Sequence, residues 1–72
     1  MAVVQSVHRA FAILRALSSG PLGVTEVSQR VELPKSTVAR LLAALDEEGA
    51  VRQIQAGGRY SLDDGLLDLA GE

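Results

Sequence analysis

Leu33-Pro34-Lys35-Ser36-Thr37-Val38-Ala39-Arg40-Leu41-Leu42-Ala43-Ala44-Leu45 is the stretch on which the reading of this chain turns. Proline is favoured at the first helical position, because the amide it lacks would be unpaired there. A helix is therefore expected over about residues 34–48, closed by Gly49 as a C-terminal cap. Val38, Leu41, Leu42 and Leu45 recur at three- and four-residue steps and mark the face turned to a core. At 100° per residue, Ser36, Arg40, Ala43 and Glu47 point nearly opposite that face, with Thr37 and Ala44 on its flank.

Upstream, a tight Glu32-Leu33 turn follows a two-turn helix in which Val24, Val27 and Val31 repeat at helical spacing. Glu26 in its first turn and Arg30 in its last follow the order the helix dipole favours. Ser18-Ser19-Gly20-Pro21 ends an earlier helix from about Ser6 to Leu17. Val7, Ala10, Phe11, Leu14 and Leu17 form its apolar stripe, extended by Val3 and broadened by Ile13 and Ala16, so Phe11 is expected in the core with Tyr60.

Downstream, the period changes. Ala50–Gln55 and Arg59–Leu62 are β-prone runs around Ala56-Gly57-Gly58, the pattern of a hairpin with a glycine tip. Val51 and Ile54 have opposite parity, so one of them faces out. Leu66, Leu67 and Leu69 suggest a short final helix from Asp64 to about Ala70. Helix, short helix, tight turn, helix and glycine-tipped hairpin, in that order, predict a winged helix-turn-helix: a mainly α fold with a small β wing.

Composition narrows the chemistry. Seventy-two residues make one domain at most, and 47% of them are apolar. The absence of cysteine excludes disulfides and thiolate zinc sites, and the single His8 excludes a histidine-clustered metal centre. The carboxylates Asp46-Glu47-Glu48 and Asp63-Asp64 are consecutive and so diverge around a helix or turn. Without a phosphate loop, a metal-ligand spacing or a nucleophile beside a base, no catalytic residue, cofactor or metal is expected. The N-terminal segment, interrupted by Arg9 and Arg15, reads as neither a secretory signal nor a membrane span, and the protein is expected in the cytoplasm.

Charge is divided along the chain. Residues 1–62 carry all 7 basic residues and five acids, whereas residues 63–72 carry four acids and no base. The first segment is read as the functional domain and the second as an acidic linker helix. Small outward residues on the third helix let its backbone come close to base edges, and Arg40 supplies a donor fork that fits guanine O6 and N7 in a major groove. Lys35, Ser36 and the helix N-terminus are placed to hold phosphates, with Thr37 and Arg40 at the bases. Arg59, after the hairpin tip, suits a minor groove or a phosphate, and Arg52 on the facing strand suits the backbone. Double-stranded DNA is the expected partner. The alternative is a winged-helix protein-interaction module in which Arg40 and Arg59 meet an acidic surface.

SVHRAFAILRAL, PLGVTEVSQRVELPKSTVARLLAALDEEGAV and the hairpin ending RYSL together resemble the N-terminal DNA-binding domain of IclR-family bacterial transcriptional regulators, over about residues 5–70. Position by position, the resemblance puts the family's DNA contacts on Lys35, Ser36, Thr37 and Arg40, extending to Arg59 in the wing. It implies a homodimer or dimer of dimers on a palindromic operator, and a larger C-terminal domain that takes a small-molecule effector. On that basis the chain reads as an excised domain. Three positions depart from the family pattern: Glu32 stands where the turn usually has Gly, Ser28 where a small Ala is common, and Asp63 where a Gly follows the wing. A left-handed backbone at Glu32 would cost roughly 1 kcal/mol.

Overall fold

The computed structural model describes residues 2–71, and side-chain surroundings from Gln5 onward. Four helices and a hairpin follow one another: α1 (Ala2–Leu17), α2 (Val24–Val31), α3 (Lys35–Glu47), β1 (Val51–Gln53), β2 (Tyr60–Leu62) and α4 (Asp64–Gly71). Ile13 and Leu17 from α1, Leu22 from the loop after it, Val27 from α2, Val38 and Leu42 from α3, and Val51 from β1 form one buried cluster. Each such aliphatic side chain contributes about 1.5–3 kcal/mol relative to exposure. The first three helices and the hairpin are thus bound into a winged helix-turn-helix, as the order of periods predicts. No described helix is long and apolar enough to cross a membrane.

The α1 reading needs two corrections. The helix begins at Ala2, a turn before Ser6, since nothing between them interrupts it. Its buried edge is Ile13 and Leu17, and Phe11 and Val7 are exposed. The apolar stripe covers nearly half the helix circumference, but α2, α3 and β2 reach only the side that carries Ile13. Val3 falls among residues whose side chains lie outside the described set, as does Val4. Tyr60 is half-buried against the core, as expected of it.

The turn between α2 and α3 is closed by Glu32, whose backbone is left-handed at φ 58 and ψ 46. Its amide donates to the Ser28 carbonyl at 2.9 Å, and the Ser28 hydroxyl donates to the Leu33 carbonyl. The serine that replaces a small alanine is therefore satisfied by the turn itself. Pro34 sits one place earlier than expected. With ψ 147 it is the N-cap rather than the first helical residue, and its carbonyl accepts the Val38 amide at 3.0 Å. At the other end of α3, Gly49 (φ 80) donates to Asp46 at 3.0 Å and Ala50 donates to Leu45 at 2.9 Å. That pair of bonds is a Schellman cap.

β1 and β2 pair antiparallel, with Val51 opposite Leu62, Arg52 opposite Ser61 and Gln53 opposite Tyr60. The Ile54 amide continues the ladder to the Arg59 carbonyl at 2.8 Å, and the Gly58 amide closes a turn on Gln55 at 2.7 Å. Gly57, at φ 73, occupies the position of that turn where a side chain would be strained. Leu22 adds a bridge invisible in the sequence: it exchanges both backbone bonds with Tyr60, at 3.0 and 2.8 Å. A lone residue in a loop has no period to reveal it. Asp63, expected to open the acidic segment, caps α4 through its carboxylate, which accepts the Gly65 amide at 2.8 Å. Of the α4 leucines, Leu66 is half-buried while Leu67 and Leu69 are exposed.

Candidate nucleic-acid interface

The outward face of α3 is as its period requires. Ser36, Arg40, Ala43 and Glu47 are exposed, Val38 and Leu42 are buried, and Leu41 and Leu45 lie half-buried between. Pro34 offers no capping side chain, so the amides of Lys35, Ser36 and Thr37 have no partner within the helix. No acid stands in this first turn. The N-terminus of α2 differs: Glu26 lies in its first turn and its carboxylate accepts the Gly23 amide at 3.0 Å. Of the two helix ends, that of α3 is open to an anion and that of α2 already holds a carboxylate.

α1 and α3 enclose a groove of about 460 Å³, lined by Ser6 and Arg9 from α1 and by Thr37, Arg40, Leu41 and Ala44 from α3. Thr37 and Arg40, expected at base edges, thus share one concavity. Lys35 and Ser36 lie exposed on the first turn of the same helix. Arg9 was noted in the sequence only as a charge that interrupts the N-terminal segment, with no part in the interface. It is half-buried and forms the α1 wall of the groove. A signal existed: Arg9 falls four residues before Ile13, on the edge of α1 that the core claims.

The wing arginines lie outside that groove. Strand register settles their relation to each other. Arg52 faces Ser61, and Ile54 pairs with Arg59, so these four side chains share one side of the hairpin. Val51, Gln53, Tyr60 and Leu62 take the other side, toward the core. Arg52, Ile54 and Arg59 are all exposed, giving the wing an outer face of two cations around one aliphatic side chain. The Gln53 side-chain amide holds the Gly58 carbonyl at 3.0 Å and stiffens the tip beneath them. Arg30, on α2, is engaged elsewhere, its guanidinium donating to the Ser19 hydroxyl at 3.1 Å.

Residues 6–55 match the family model described as the IclR helix-turn-helix domain. The glycerol operon regulatory protein of Streptomyces coelicolor is 41% identical over 68 residues, covering 92% of this chain and 27% of its own length. The transcriptional regulator KdgR of Escherichia coli is 43% identical over 67 residues, covering 92% of this chain and 26% of its own. The crystal structure of an IclR family transcriptional regulator from Brucella abortus superposes with a TM-score of 0.83 at 35% identity, over 92% of this chain and 26% of that one. The chain spans about a quarter of the length of these relatives.

Proposed function

This chain belongs to the IclR family of helix-turn-helix transcriptional regulators, and on that footing we propose that it is the operator-binding unit of such a regulator, acting in the cytoplasm on double-stranded DNA. The observation that carries this reading is the uncapped, acid-free start of α3, opening beside the groove that Arg9, Thr37 and Arg40 line. Backbone amides of Lys35, Ser36 and Thr37, with the Lys35 ammonium and the Ser36 hydroxyl, hold phosphates and set the register. α3 then lies in the major groove, where Arg40 forks onto a guanine and Thr37 meets a neighbouring base edge. Arg9, from the α1 wall, neutralises a phosphate of the strand that crosses the groove. Arg59 and Arg52 bring the outer face of the wing to the minor groove or its backbone.

Two such units, as a homodimer or within a dimer of dimers, read the two halves of a palindromic operator, because twofold protein symmetry demands twofold site symmetry. Residues 1–62 are the DNA-binding domain, and residues 63–72 begin a linker helix toward an effector-binding domain that takes a small molecule. The test is selection from random duplexes by two copies of the chain joined through a flexible tether. The expected product is an inverted repeat with half-sites one helical turn, or a multiple of it, apart. Failure of the folded, tethered protein to enrich any sequence at low salt would overturn the reading in favour of a protein-interaction module.

A further inference from the structure

The hairpin turns one aliphatic side chain outward between two cations. Ile54 is 49% exposed, and its amide donates to the Arg59 carbonyl at 2.8 Å, which sets it beside Arg59 and two residues along from Arg52. Isolated exposed aliphatic residues are ordinary; this one differs in its company. From Gly49 to Leu62 the chain carries no carboxylate, so the hairpin's own charge around Ile54 has one sign. A cationic rim about an apolar centre fits a cleft with apolar walls and anionic edges. The minor groove of duplex DNA is such a cleft, about 6 Å wide, walled by deoxyribose and edged by phosphates. We propose that Ile54 seats in the minor groove beside the half-site and makes the wing select A·T over G·C pairs there.

This inference rests on the DNA-binding reading above and names a specificity residue outside α3. The floor of the minor groove offers acceptors at A·T and T·A pairs alike, whereas guanine adds an exocyclic amino donor. Isoleucine accepts no hydrogen bond, so seating it over that amino group strips the donor of water and returns nothing. Over A·T the donor is missing, and the acceptors are met by the arginines on either side. The narrow groove of A·T-rich runs also concentrates the negative potential that draws Arg52 and Arg59. The wing keeps its shape under this load: Leu22 exchanges two backbone bonds with Tyr60, and the Gln53 side-chain amide holds the Gly58 carbonyl at 3.0 Å. Its tip, Ala56-Gly57-Gly58, carries nothing larger than a methyl group and does not hold the strand face off the groove.

Selection with tethered copies supplies the site, and base analogues then isolate the groove. Each A·T pair flanking the half-sites is changed to G·C, to inosine·cytosine or to diaminopurine·thymine, and Kd is read by fluorescence anisotropy. Inosine·cytosine keeps the major-groove edge of G·C without the amino group; diaminopurine·thymine keeps the A·T edge and adds it. At one flanking position or more, G·C and diaminopurine·thymine should each weaken binding about fivefold or more, while inosine·cytosine stays near the parent value. Ile54→Asn, whose side chain accepts from the amino group, should remove that difference and leave the bases under α3 unchanged. Ile54→Thr, which keeps the β-branched strand residue, should flatten it too, and thermal melts verify that both variants fold. Loss with inosine·cytosine equal to that with G·C would assign the preference to the major groove and overturn the proposal. A flat response to all three analogues, or variants with the parent's profile, would overturn it as well. An inverted repeat with either result leaves the DNA-binding reading standing, whereas no repeat at all removes that reading first, so the two failures are distinguishable.

Discussion

Glu32 holds the one positive φ among the described non-glycine residues, in the turn that aims α3. Its Cβ crowds the following carbonyl in that conformation, at a cost of roughly 1 kcal/mol that glycine escapes. Glu32→Gly should therefore stabilise the chain, raising Tm by about 4–8 °C for a domain of this size, as read by circular dichroism. An unchanged or lower melting temperature would show that the glutamate side chain contributes something glycine cannot replace. The two arginines of the α1–α3 groove separate by a different measurement. On the proposed reading, in which Arg40 forks onto a guanine, Arg40→Ala should cost about 1–3 kcal/mol per site and relax preference at one base pair. Arg9→Ala should weaken all duplexes alike and lower the salt slope by about one unit, the signature of a phosphate contact. A sequence-selective loss in the Arg9 variant would reverse the two roles.

At the scale of elements, the joint between α3 and α4 leaves no room for a side chain at Gly65. A methyl group at Gly65 would stand 2.9 Å from the Gly49 carbonyl oxygen, a backbone atom that the Schellman cap holds in place. The Asp63 amide donates to the Ala50 carbonyl at 3.0 Å, locking the same corner. Two effects oppose each other in Gly65→Ala. Alanine favours the helix by about 1 kcal/mol, while overpacking costs typically 1–3 kcal/mol. With backbone as the obstacle the clash should prevail, and a drop in Tm with little loss of helical ellipticity is expected. A rise in Tm would mean that α4 shifts freely on its joint. Helix positions here follow from period and punctuation, since Gly20-Pro21, Pro34 and Gly49 bound the segments. The face of α1 does not: an apolar stripe wider than one neighbour can cover leaves the choice of buried edge to packing.

Over the whole molecule, the net charge of −2 conceals a basic body and an acidic end. The buried cluster draws nothing from α4. A chain ending at Asp63 keeps the bond from its amide to Ala50 and should remain folded, with Tm falling by only a few degrees. Loss of Asp64, Asp68 and Glu72 turns the net charge positive, so non-specific duplex binding at low salt should strengthen. Fluorescence anisotropy with random-sequence DNA measures it. Equal or weaker binding would show that the acidic end lies too far from the DNA face to oppose it.

Residue order alone determined the four helices, the glycine-tipped hairpin and the outward set on α3, because each rests on a local period or on a residue with one conformational use. The exposed placement of Ser36 and Arg40 was legible for that reason, whereas the left-handed backbone at Glu32 was raised only by the resemblance to a family that has glycine there. Tertiary structure decided what depends on neighbours far along the chain. It buried Ile13 in place of Phe11, tied Leu22 to Tyr60, and set Arg52 and Arg59 on one face of the wing. It also brought Arg9 across to the groove of Arg40. A helical period states which side chains share a face, but only the packing of α1 against α3 decides which face meets the core and which lines the groove between them.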